Sequence, residues 1–99
     1  MNDKIYTVNE IKNIVSPIAQ EYGVESLFLF GSYARGVADA DSDIDFRINK
    51  GAVKGIRFAS LYNTLEEKLG KSIDLVTTAS LDDSFRERIS HEEVLLYAR

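Results

Sequence analysis

Ninety-nine residues, 44% of them hydrophobic, supply material for one modest core, so a single domain spanning 1–99 is expected. Twelve basic against sixteen acidic side chains give a net charge of −4 and a pI near 4.9, which disfavours attraction to a nucleic-acid backbone. The absence of cysteine excludes disulfides and thiolate zinc sites, and no apolar run, Leu27 to Phe30 included, approaches the ~20 residues of a membrane span. The start, Met1-Asn2-Asp3-Lys4, lacks the charged-then-apolar pattern of a signal peptide, and the expectation is a soluble, cytoplasmic protein.

The first element is a helix starting at about residue 7. Thr7-Val8-Asn9-Glu10 reads as a capping box, Tyr6 with Ile11 as a hydrophobic staple, and Val8, Ile11, Ile14, Val15, Ile18, Ala19 and Tyr22 repeat at helical spacing. Pro17 falls inside this pattern and predicts a kink or a frayed second half before Gly23. Glu25 to Phe30 fits a buried strand, which delivers the chain to Gly31-Ser32 and a single helical turn over Tyr33 to Gly36. Val37 to Ser42 reads as a small acidic loop. Strict alternation then begins at Asp43-Ile44-Asp45-Phe46-Arg47-Ile48, with Ile44, Phe46 and Ile48 assigned to the core.

Asn49 to Gly55 looks like a mobile connection. Ile56, Ala59, Tyr62, Leu65 and Leu69 mark a helix closed by Gly70, and Ser72 to Thr77 is a third strand. The tail is helical through Ser84 to Ile89, while Glu93 to Tyr97 fits either a continuation of that helix or an edge strand. The sum is an α/β (α+β) chain: a small mixed β-sheet of three to four strands flanked by helices.

The chemistry concentrates between Gly31 and Asp45. On one strand, Asp43 and Asp45 would project from the same face, roughly 6.5–7 Å apart along the backbone. A third carboxylate, Asp74, lies between apolar residues in Ile73-Asp74-Leu75-Val76, where a half-buried acid needs a compensating partner. If the two strands are neighbours, three carboxylates meet at one sheet edge, the arrangement of two-metal phosphoryl or nucleotidyl transfer, and hard oxygen ligands point to two Mg²⁺ ions, with Mn²⁺ as the other candidate. Gly31 permits a tight turn, Ser32 and nearby amides can donate to phosphate oxygens, and Arg35 fits either a phosphate contact or a structural ion pair.

Gly31-Ser32-Tyr33-Ala34-Arg35-Gly36 followed by Ser42-Asp43-Ile44-Asp45-Phe46 resembles the minimal nucleotidyltransferase (MNT) domains of the DNA polymerase β-like superfamily. In particular it resembles the MNT antitoxins of HEPN/MNT toxin–antitoxin pairs, over nearly the whole chain. The resemblance implies a nucleotidyltransferase fold, Asp43, Asp45 and Asp74 as catalytic metal ligands, and Gly31 and Ser32 gripping the triphosphate. It implies ATP as donor and transfer of AMP to a hydroxyl, commonly a tyrosine, of a HEPN-domain toxin in a hetero-oligomer; the charge and apolar runs given above add the expectation of no direct contact to nucleic acid or membrane.

Two other functions remain compatible with these residues: an antitoxin that masks its partner without turnover, and a catalytic subunit that nucleotidylates a small molecule. Among the remaining polar residues, Asp39 and Asp41 read as loop solvation, His91 as an exposed side chain, and Lys50, Lys54 and Arg57 as a solvated basic patch. Tyr33 reads as an aromatic packed against the first helix.

Overall fold

A computed structural model describes residues 3–99; the reading of the Met1-Asn2 start lies outside them. Helix α1 spans Val8–Tyr22 and begins at the expected capping box. Thr7 Oγ1 accepts from the Glu10 amide at 3.1 Å, and Glu10 Oε1 accepts from the Thr7 amide at 2.9 Å. The helix does not fray after Pro17; it continues to Gly23, which closes it in the left-handed conformation. Pro17 and Asn13, the residue whose carbonyl loses its partner, are both exposed, so the missing bond lies on the solvent side of the helix. The inward stripe is Ile11, Val15, Ile18 and Ala19.

Strand β1 (Ser26–Phe30) leads directly into the short helix α2 (Gly31–Arg35), and β2 spans Ile44–Asn49. Helix α3 (Ile56–Leu69) carries the chain to β3 (Ile73–Thr77), and a 3-10 turn at Thr78–Ser80 precedes α4 (Asp83–Ser90) and β4 (Val94–Ala98). The sheet order is β3-β2-β1-β4, with β2 and β3 parallel and both other pairings antiparallel. This is the mixed, helix-flanked sheet the sequence predicts, with four strands. The open alternative at 93–97 resolves to an edge strand, because β4 finds its ladder on β1.

Ile44, Phe46 and Ile48 are fully buried, as alternation requires, and pack with Leu27, Leu29 and Leu96 among the inward side chains of α1 and α3. Each such burial stabilises by about 1.5–3 kcal/mol. Helix α3 runs from Ile56 to Leu69 and closes at Gly70, as the spacing predicts, but not every residue of that spacing turns inward. Ile56 is 90% exposed and Ala59 is exposed too; the α3 stripe is Leu61, Leu65 and Leu69, with Phe58 and Tyr62 on its flank. At about 100° per residue, Ile56 lies roughly 140° around the helix from Leu61, on the solvent side. The register of β4 shifts between Leu27 and Phe28, and the Leu96 carbonyl at this irregularity accepts from Ser16 Oγ at 3.0 Å, which ties α1 to the sheet edge.

Candidate active site

Three strands bring the signature residues together. Phe30, the last residue of β1, pairs with Asp45 of β2, and Asp45 pairs in turn with Asp74 of β3. Asp45 and Asp74 thus stand side by side at one end of the sheet, with Gly31 immediately after the β1 residue that pairs with Asp45. Asp43 stands one residue ahead of β2, where the Ile44 amide already donates to the Ser72 carbonyl at 3.1 Å.

Gly31 has φ 77, and a Cβ there would collide with Asp45 Oδ2. The glycine is therefore required twice, by the backbone conformation and by the carboxylate against it. Ser32 lies in the first turn of α2, and Tyr33 is 3% exposed and belongs to the core. The Tyr33 hydroxyl is buried without a hydrogen bond of good geometry among the described residues.

Asp45 is half-buried, and its carboxyl is pushed up to about 6. Burial is the main cause, the charges of Asp74 and Asp43 come next, and Glu92 adds to them, while Arg35 opposes. Asp74 is exposed, not half-buried, so it needs no counter-charge of its own; the cost falls on Asp45. Among the described residues no three Asp, Glu or His side chains already stand in an ion-holding group. Register places the carboxylates side by side without closing them into a ligand cage. Their chemistry fits a hard divalent cation: all-oxygen donors, one of them held partly out of water and repelled by its neighbours.

Arg35 pairs with Glu92 at 2.9 Å, and the same carboxylate oxygen accepts from the Gly31 amide at 2.6 Å. Sequence reasoning left Arg35 open and missed Glu92. It also missed the buried pair beside it, where Glu93 takes Arg47 through two bonds of 2.9 and 2.7 Å, with the Arg47 guanidinium 4.0 Å from the centre of the Phe28 ring. The signal was present: Arg47 shares the outward phase of Asp45 in an alternating strand, and two glutamates precede the last apolar run.

The acidic loop is more than solvation. Asp39 Oδ1 accepts from the Asp41 amide and from Ser42 Oγ, and the buried Lys71 reaches the Ala40 carbonyl at 3.2 Å. These bonds fix the approach to Asp43. Two residues of the basic patch are engaged with rings, Lys50 over Phe58 and Arg57 over Tyr22, and His91 caps α4 in an exposed position.

A mixed sheet with a glycine-serine turn at one strand end and two carboxylates at the start of the next defines a nucleotidyltransferase. The sequence profile of the polymerase beta nucleotidyltransferase family matches residues 9–99, and the chain belongs to that family. A relative in Methanocaldococcus jannaschii, assigned by name to the protein adenylyltransferases, is 39% identical over 88 residues, 88% of this chain and 95% of its own. The protein adenylyltransferase MntA of Thermococcus cleftensis is 32% identical over 93 residues, 89% of this chain and 94% of its own. The fold is shared with an antitoxin-containing crystal structure bound to AMP-PNP (TM-score 0.75, 22% identity, 89% of this chain and 73% of that one). It is also shared with a Shewanella oneidensis complex of an MNT antitoxin and tri-AMPylated HEPN toxin (TM-score 0.68, 19% identity, 92% and 72%).

Proposed function

We propose that this nucleotidyltransferase is a cytoplasmic antitoxin that transfers AMP from ATP to a tyrosine hydroxyl of a cognate HEPN ribonuclease toxin. The observation that carries the reading is the alignment of Phe30, Asp45 and Asp74 across three strands, with Gly31 next in the chain and against the Asp45 carboxylate, in a chain whose relatives are named protein adenylyltransferases. The acceptor hydroxyl attacks the α-phosphorus of ATP, the bond to the β-phosphate breaks, pyrophosphate leaves with the electron pair, and the hydroxyl proton passes to solvent.

Asp43, Asp45 and Asp74 would hold two divalent cations, Mg²⁺ or Mn²⁺, whose chemistry is to neutralise the polyphosphate and acidify the attacking hydroxyl. The Gly31 amide, the Ser32 hydroxyl and Arg35 bind and orient the phosphates, and the left-handed backbone at Gly31 keeps that turn open to them. The acceptor arrives on a partner chain, as in the Shewanella oneidensis complex, where the tri-AMPylated molecule is the HEPN toxin bound to the MNT antitoxin.

The test is label transfer from α-labelled ATP to the co-purified partner. Labelled partner in the presence of Mg²⁺, lost with chelator, is the expected result. An unlabelled partner under both conditions overturns the proposal.

A further inference from the structure

Consecutive glutamates on the turn into β4 have opposite characters. Glu93 is bonded twice to Arg47, a side chain 9% exposed, and this pair is part of the interior. Glu92 places one carboxylate oxygen on the Gly31 amide and on Arg35, whose side chain is 52% exposed. The backbone of both is pinned, since the Glu92 and Glu93 amides donate to the Ile89 carbonyl at 3.0 and 2.9 Å. Only the Glu92 side chain is placed to leave.

The two donors it occupies are those that the proposed function gives to the triphosphate. They open on a cleft of about 340 Å³ lined by Phe30, Arg88 and Glu92, with the Arg88 guanidinium 4.9 Å from the centre of the Phe85 ring. A largely exposed ion pair holds only weakly, whereas a polyphosphate brings several charges to the same fork.

We propose that Glu92 is a built-in stand-in for phosphate: its carboxylate occupies Gly31 N–H and Arg35 in the nucleotide-free protein and is displaced when a nucleoside triphosphate binds. Glu92 is thus a positioning residue. It keeps Arg35 aimed at the cleft and sets how much affinity ATP must supply. The inference rests on the phosphate role assigned above to Gly31 and Arg35.

The test is calorimetric titration of the chain with ATP and Mg²⁺, comparing wild type, Glu92→Gln, Glu92→Ala, Arg35→Ala and the double variant Glu92→Gln/Arg35→Ala, each checked by thermal melting. Removing the competing charge is expected to tighten ATP by about threefold to tenfold in both Glu92 variants, and to change it far less when Arg35 is already alanine. ATP affinity that is unchanged or weakened in a folded Glu92 variant, while Arg35→Ala weakens it, overturns the stand-in and leaves the phosphate site standing. Affinity that is indifferent to Arg35→Ala overturns the phosphate site itself, and the stand-in with it.

Discussion

Asp45 and Asp74 are direct partners in the parallel pairing of β2 and β3, so two carboxylates face the same sheet end from adjacent strands. Their repulsion, added to the partial burial of Asp45, raises the Asp45 carboxyl to about 6 from an ordinary 3.8. Below the lower value both folded and unfolded chains are protonated there. Between the two values the folded chain binds more protons, so stability falls as pH rises through this window and stays lower above it.

Chelator-treated protein is therefore expected to lose about 1–3 kcal/mol between pH 4 and pH 6.5 from this group. Asp45→Asn should flatten that slope and raise the melting temperature at pH 7.5 by several degrees, on the order of 4 °C per kcal/mol. Thermal melts of both proteins across pH check it; parallel profiles would contradict the assignment.

Gly31→Ala should destabilise more than Gly36→Ala. Both glycines have positive φ, 77 and 75, so each substitution carries a strain of about 1–2 kcal/mol. Only at Gly31 does the new methyl meet Asp45, while nothing lies within 4 Å of the Cβ position at Gly36. Urea denaturation should separate the two by at least about 1 kcal/mol, and equal midpoints would mean that the carboxylate moves aside freely.

The two arginine–glutamate pairs should differ just as clearly. Arg47→Ala strands Glu93 in the interior and removes the stack on Phe28, with an expected loss of about 3–5 kcal/mol. Arg35→Ala should cost no more than about 1 kcal/mol, because its pair is exposed. Denaturation midpoints check the contrast, and a cost at Arg35 matching that at Arg47 would contradict it.

Local signals carried most of the fold. The capping box at Thr7, the alternation from Ile44 to Ile48 and the glycine after Leu69 each depend on near neighbours, and each element forms where those residues place it. What stayed hidden depends on distance along the chain. Val94–Ala98 is a strand because β1 offers it a ladder more than sixty residues away, and no local pattern distinguishes that from a helical tail. Ile56 to Leu69 was legible as a helix, whereas the face it turns inward, Leu61, Leu65 and Leu69, is set by packing against elements distant in the chain. At the site, the Gly31 to Asp45 spacing was legible within fifteen residues. Glu92 was not, because its partners Gly31 and Arg35 lie 61 and 57 positions away.

Intact-mass measurement of the proposed HEPN partner, co-expressed with either the wild-type chain or the Asp43→Asn/Asp45→Asn variant, tests the central claim most directly. The account predicts a partner heavier by one or more AMP groups with the wild type and of unmodified mass with the variant. The variant itself should fold at least as stably, since clustered charge is removed. Undiminished modification by the variant would contradict the site, and an unmodified partner with the wild type, still neutralised by binding, would contradict catalysis as the means of neutralisation.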